Sequence, residues 1–415
     1  MQHAFERLTG QESDRTEAGN GLIHILSLSM SKVADGLIDP KLVLSWLLGA
    51  LGAPAAIIAL LVPIREAGAL IPQIFLAGWL QRLSQRRWLW VAGSAGQAVS
   101  AGVIVLAALT LQGAAVGLAF CAALAALALS RAACSVSYKD ILGKTVGQAK
   151  RGAVTGMAGS VSAAAVLGFA VLLLTGVLQT KAGVIGAIAL AAVLWAGAAL
   201  NFTRLREDDS ERGGPDTAHG FWELLQQDAN LRRFILVRGL LTSTALAPPF
   251  LAVMTTGDNG SDVQSLGALV LASAGAGFAS SYVWGWLADR SSRVMLLSAG
   301  LLAALAMVAA IAVQLAGQAQ APFLIPAILF VLMVAYHGVR QARSTYLVDI
   351  SPAARRTANA AVANLAIGLI LLGAGAFGGA LSWVGPNGAL TGFAAMSLLG
   401  GLAALRLEQV TSQSE

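Results

Sequence analysis

Apolar runs long enough to cross a lipid bilayer recur along the whole chain, separated by short basic clusters, and that pattern constrains the fold class before any motif is read. A spanning helix needs ~20 mostly apolar residues, because its backbone amides must be satisfied internally within hydrocarbon. About twelve windows meet this requirement: 21–46, 52–80, 88–110, 113–137, 152–177, 182–201, 232–256, 263–287, 294–316, 322–345, 357–382 and 388–405. The first, second and tenth are the least clean, since they carry charges. Of the 415 residues, 57% are hydrophobic and 12% charged, where soluble domains run near a quarter charged. The chain reads as an all-α, multi-pass membrane protein in contact with the lipid bilayer.

The basic residues set the orientation. With the N-terminus in the cytoplasm, the inside loops hold Arg82, Arg86, Arg87, Lys139, Lys144, Lys150, Arg151, Arg204, Arg206, Arg212, Arg232, Arg233, Arg290, Arg293, Arg355, Arg356 and Arg406. The outside loops hold little beyond Lys181, which satisfies the positive-inside rule. Both termini are expected in the cytoplasm of a bacterial cell, with the spans in its inner (plasma) membrane. The net charge of +6 is distributed over these loops and does not point to nucleic acid. Residues 1–20 are polar and lack the pattern of a secretory signal; they read as a cytoplasmic tail with a short surface helix. Cys121 and Cys134 have neither metal nor disulfide spacing and read as small buried hydrophobes. Trp79, Trp88, Trp90, Trp284 and Trp286 fall near cytoplasmic span ends, where aromatic belts lie.

The longest polar stretch, Thr203 to Asn230, contains the charge run Glu207-Asp208-Asp209-Ser210-Glu211-Arg212 and reads as a solvated linker. It divides the chain into a bundle at 21–202, a linker at 203–231, a second bundle at 232–405 and a tail at 406–415. The two parts repeat each other. Gly78-Trp79-Leu80 with Gln81-Arg82 and Arg86-Arg87 recurs as Gly285-Trp286-Leu287 with Ala288-Asp289-Arg290 and Arg293, and Lys150-Arg151-Gly152 matches Arg355-Arg356-Thr357 at nearly the same offset. Two six-helix pseudo-symmetric halves are the internal symmetry of secondary transporters.

On these residues the chain resembles the major facilitator superfamily over nearly its whole length. Gly285-Trp286-Leu287-Ala288-Asp289-Arg290-Ser291-Ser292-Arg293 is similar to that family's loop signature. The resemblance implies a cytoplasmic gate in which the motif glycine permits close helix approach and Asp289, Arg290 and Arg293 form a latch, with Gly285 in this copy of the gate motif and Gly78 and Arg82 in the first. In the first copy Gln81-Arg82 stand in place of Ala-Asp, so its acidic partner is missing. The fifth span, with Gly156-Met157-Ala158-Gly159-Ser160, lacks the Gly-Pro pair of the drug-antiporter signature.

Charges inside the spans mark the chemistry, since lipid tolerates them only when they are paired or wetted. Counted from Gly21 at 1.5 Å per residue, Lys32 and Asp35 lie ~16–21 Å deep and share a helix face, where they can pair. Arg65 and Glu66 reach a similar depth beside Pro63, which removes a backbone hydrogen bond. One reading makes these four two neutral pairs that lock the first spans together. The other makes Asp35 or Glu66 a proton carrier with Lys32 or Arg65 as charge partner: burial disfavours a carboxylate and a cation favours it, so movement between states loads and releases a proton. Asp39-Pro40-Lys41 is expected at the outer mouth.

The second half offers Arg238, followed by Thr242, Ser243, Thr244 and the helix-breaking Pro248-Pro249, then Tyr336, His337, Arg340 and Arg343. Arg340 and Arg343 read either as cavity residues or as snorkelling side chains at a helix end. Asn359 and Asn364 either bind substrate or bond to a neighbouring helix. The family resemblance places Lys32, Asp35, Arg238 and His337 on a central cavity. The substrate is expected to be a small molecule, anionic or zwitterionic, moved by alternating access with proton coupling, in either direction including efflux. The rival reading is a non-transporting sensor or assembly partner on the same fold. No phosphate loop, zinc motif or nucleophile elbow appears, so neither enzyme activity, a metal nor a cofactor is expected, and the protein is expected to be a monomer.

Overall fold

The computed structural model describes residues 2–80, 82–175, 180–209, 226, 228–255, 263–288, 291–350 and 356–408. Every regular element among them is helical. The first is a short helix, α1 (Gln2–Thr9), and the second, α2 (Arg15–Leu37), opens where the Asp14 carboxylate accepts from the Glu17 amide. The stretch after it is cut up by prolines at 40, 54, 63 and 72 into α3 (Val43–Ala50), α4 (Ala55–Ile58), α5 (Leu61–Leu70) and α6 (Gln73–Leu80). Long helices follow: α7 (Arg87–Thr110), α8 (Gly113–Thr145), α9 (Gln148–Leu174) and α10 (Lys181–Phe202).

After the linker the chain resumes at Asp228, whose carboxylate caps α11 (Ala229–Leu240) through the Leu231 amide. Pro248 and Pro249 interrupt this span, leaving α12 (Ser243–Leu246) and α13 (Pro248–Met254). The remainder is α14 (Val263–Ala288), α15 (Ser292–Leu315), α16 (Leu324–Ile350), α17 (Arg356–Leu381) and α18 (Pro386–Ala404).

Ten stretches among the described residues are long and apolar enough to cross a membrane, from Arg87–Thr110 to Pro386–Ala404, and they coincide with the windows from 88–110 onward. This is a multi-pass membrane protein. The windows 21–46 and 52–80 differ from expectation in being broken: charges run through α2, and its successors are too short to span singly. In the packing, α7 lies between α8 and α10, α2 between α9 and α10, and α5 against α8. Farther along, α15 lies between α16 and α18, α14 packs on α16, and α11 packs on α17 and α18. The two sets touch along α9 with α14 and along α5 with α17.

Several surface readings become core. Trp90 is buried and stacks on Phe202 with ring centres 4.0 Å apart, and Trp284 is buried with its indole N–H donating to the Val334 carbonyl at 2.8 Å. Trp79 and Trp88 stay exposed, as a belt requires. The tail is also partly structural, because Phe5 of α1 is wholly buried against Ala18, Leu142, Val146 and Val154. Glu207 is no linker charge: it is buried, and its carboxylate accepts the Arg86 and Arg87 amides at 3.1 and 2.7 Å. Cys121 and Cys134 are free thiols, half-buried and buried.

Candidate functional site

Asp35 is the first charge that the fold has to satisfy, and it does so with two arginines from other helices. Its carboxylate accepts from Arg65 of α5 at 2.9 Å and from Arg131 of α8 at 2.7 Å. Arg131 also donates to Ser31 one turn earlier on α2. The expected Lys32–Asp35 pair does not form. Lys32 turns instead to α9, where its ammonium donates to the Thr155 carbonyl at 3.3 Å. An arginine inside the fourth apolar window is itself a warning of function, and that signal was sufficient to find Arg131 from the sequence.

Glu66 takes its partner from an unexpected place. Lys41, expected at a solvated mouth, is buried, with its ammonium 3.6 Å from the Glu66 carboxylate and 3.7 Å from the Tyr336 ring centre. The ring's negative face favours a cation in this position. Asp39 does not face Lys41's charge to the outside; its carboxylate accepts the Lys41 and Leu42 amides at 2.7 and 3.2 Å and so closes the turn ahead of α3. The two expected pairs thus become Arg65 and Arg131 on Asp35, and Lys41 on Glu66.

Across from these, Arg238 is buried on α11, with both Nη groups donating to one oxygen of Asn364 on α17 at 3.3 Å. A partly open cleft lies between the two sides, lined by Glu66, Arg238, Thr242, Tyr336, Arg340 and Arg343 together with apolar side chains. His337 does not line this cleft; it packs edge-on against Tyr336 at 5.3 Å and lies beside Gly277 of α14. Asn359 is buried on α17 outside the lining.

At the end that carries α1, the expected latch is only partly visible. Gly78 and Gly285 lie in α6 and α14, Arg82 is exposed and Arg293 half-buried, whereas Asp289 and Arg290 fall outside the described residues. The acid missing from the first copy of the motif is supplied by other elements. Arg86 pairs with Asp140 at the end of α8, and Asp140 also meets Lys144 at 2.8 Å. Nearby, Lys150 of α9 pairs with Glu17 of α2 at 2.6 Å.

Neither a family model nor a curated protein sequence matches the chain. Solved structures do. It superposes on the POT family transporter PepTSo with TM-score 0.72 at 12% identity, covering 94% of this chain and 97% of that one. The xylose transporter XylE from E. coli, in its inward open conformation, gives 0.66 at 12% identity over 95% and 97%, and the nucleoside transporter NupG gives 0.65 at 13% over 95% and 99%. The chain has the major facilitator fold. Identity this low carries the architecture and nothing finer. In this chain Glu66 of α5 meets Arg238 of α11 and Tyr336, Arg340 and Arg343 of α16 around the cleft.

Proposed function

We propose that this protein is a secondary transporter that moves a small molecule across the membrane by alternating access, coupled to protons. The supporting observation is the cleft itself, which takes Glu66 from α5 and Arg238, Tyr336 and Arg340 from α11 and α16, so a bound solute would touch both sets of helices. Sites between repeats are where such transporters bind their cargo. In this reading the chain comprises twelve spans in two six-helix halves, 21–202 and 232–405, with both termini in the cytoplasm of a bacterial cell and α2 with α3, and α4 to α6, as two broken spans. It acts as a monomer and not as an enzyme.

Proton coupling would run through Glu66 and Asp35. Each carboxylate holds cations from other elements, Lys41 for Glu66 and Arg65 with Arg131 for Asp35. Protonating either acid removes the attraction that ties those elements together. A D-xylose–proton symporter shares the fold at TM-score 0.68. In the first half, Lys32 borders this set. In the second half, Tyr336 lines the cavity and Asn364 holds Arg238 at its wall, with His337 and Asn359 outside the lining; Gly285, Asp289, Arg290, Arg293, Gly78 and Arg82 would gate the cytoplasmic end.

The test is solute flux in proteoliposomes under an imposed pH gradient, across a library of small metabolites. Flux should follow the gradient in the wild type, and Asp35→Asn and Glu66→Gln should abolish that response while still eluting as folded protein. Wild-type behaviour of both variants would eliminate proton coupling. A library that elicits no flux under any gradient favours the non-transporting sensor.

A further inference from the structure

Arg238 is a buried cation that makes no salt bridge among the described residues. It is 5% exposed, its Nη groups share a single neutral oxygen at the long end of hydrogen-bond range, and its Nε has no partner. A guanidinium withdrawn from water is costly unless it is paired and fully bonded. Arg340 and Arg343 line the same cleft, three residues apart on α16, and make no salt bridge among the described residues. Among the described residues Glu66 is the only acid in that lining, and this single carboxylate, with Lys41 3.6 Å away, faces Arg238, Arg340 and Arg343.

We propose that the cleft is built for an organic anion, whose carboxylate or phosphate completes the Arg238 guanidinium, with Arg340 and Arg343 supplying the surrounding positive field. The planar fork of arginine fits both oxyanions in a bidentate manner. A zwitterion is disfavoured, because a substrate ammonium would find no unmatched carboxylate and would face three guanidinium groups. This assignment names the substrate class of the transport site and rests on that reading of the cleft.

Thermal unfolding of the purified protein in detergent, at fixed ionic strength, tests it with succinate and glycerol 3-phosphate as anions, β-alanine as zwitterion and succinamide as neutral control. The anions should raise the unfolding midpoint and the other two should not. In Arg238→Gln the apparent Kd for the stabilising anion should weaken about ten- to a hundredfold, the loss of a charge-assisted contact. Stabilisation by β-alanine or succinamide with inert anions overturns the proposal, as does anion binding unchanged in Arg238→Gln.

A second comparison needs no ligand. Arg238→Met should melt at a higher temperature than the wild type, since apolar volume replaces an uncompensated buried charge. A less stable Met variant would mean that the protein itself satisfies the guanidinium, and the proposal falls; if the whole panel is inert, this comparison decides alone. Binding that depends on Arg238 without flux in vesicles would remove the transport reading and keep the anion site. Flux of uncharged solutes, indifferent to Arg238→Gln, would do the reverse.

Discussion

Asp35 joins three helices through one carboxylate, so its removal strands two cations at once. Its side chain is 21% exposed and those of Arg65 and Arg131 are 15% and 29%. Breaking a buried pair costs several kcal/mol, and partial wetting softens that, so Asp35→Ala should lose roughly 2–4 kcal/mol in detergent unfolding experiments. Asp35→Asn keeps an acceptor for one guanidinium and should lose less. Equal stability of Asp35→Ala and wild type would show that the arginines find other partners. At this scale the sequence exposed which residues matter more readily than whom they meet. Depth counting along α2 and α5 picked out Lys32, Asp35, Arg65 and Glu66, but the helix-local pairing of Lys32 with Asp35 lost to arginines from α5 and α8. Lys41 was misplaced because its neighbours Asp39 and Pro40 look like a solvated end, and only the turn that Asp39 caps swings Lys41 inward.

Among the elements, α1 shows what periodicity leaves out. Eight residues are too few to hold a helix in water, so its existence depends on docking. Gly21 makes that docking possible: a Cβ there would stand 2.2 Å from the Phe5 ring. Phe5→Ala removes the anchor, yet the cost is bounded by the free energy of undocking α1 alone. The expected result is faster tryptic cleavage at Arg7 and Arg15 with an unchanged melting transition for the bundle. Cleavage at the wild-type rate would mean that the Gln2 and Glu6 hydrogen bonds to Ser13 hold α1 without the aromatic. The broken spans follow the same logic. Prolines at 40, 54, 63 and 72 were visible in the sequence, but whether they kink a helix or divide it depends on which neighbours take up the freed backbone groups.

For the whole molecule, the proposed alternating access would require α5 and α17 to separate. Their seam is tight: a Cβ on Gly375 would stand 2.0 Å from the Pro63 ring, a rigid neighbour with no rotamer to move. Gly375→Leu should therefore exclude the arrangement seen here and shift the population toward one in which that seam is open. A Thr242→Cys reporter in the cleft should then change its rate of modification by a membrane-impermeant thiol reagent by about tenfold or more, the effect of ~1.4 kcal/mol between two states. Solute flux should fall with it. Unchanged labelling and flux would show that this seam stays outside the transport motion.

The sequence alone determined the membrane class and the places of the long helices, because the need to pair backbone amides within lipid acts on each apolar stretch by itself. It also offered Arg238 as a charge inside a span, which the family resemblance placed on a central cavity. The tertiary structure decided the partners: Arg131 on Asp35, Lys41 on Glu66 and Glu207 on the Arg86 and Arg87 amides join residues far apart in the chain. Charge pairing in a low-dielectric interior is a property of proximity in space, and local spacing along one helix cannot anticipate which distant group arrives first.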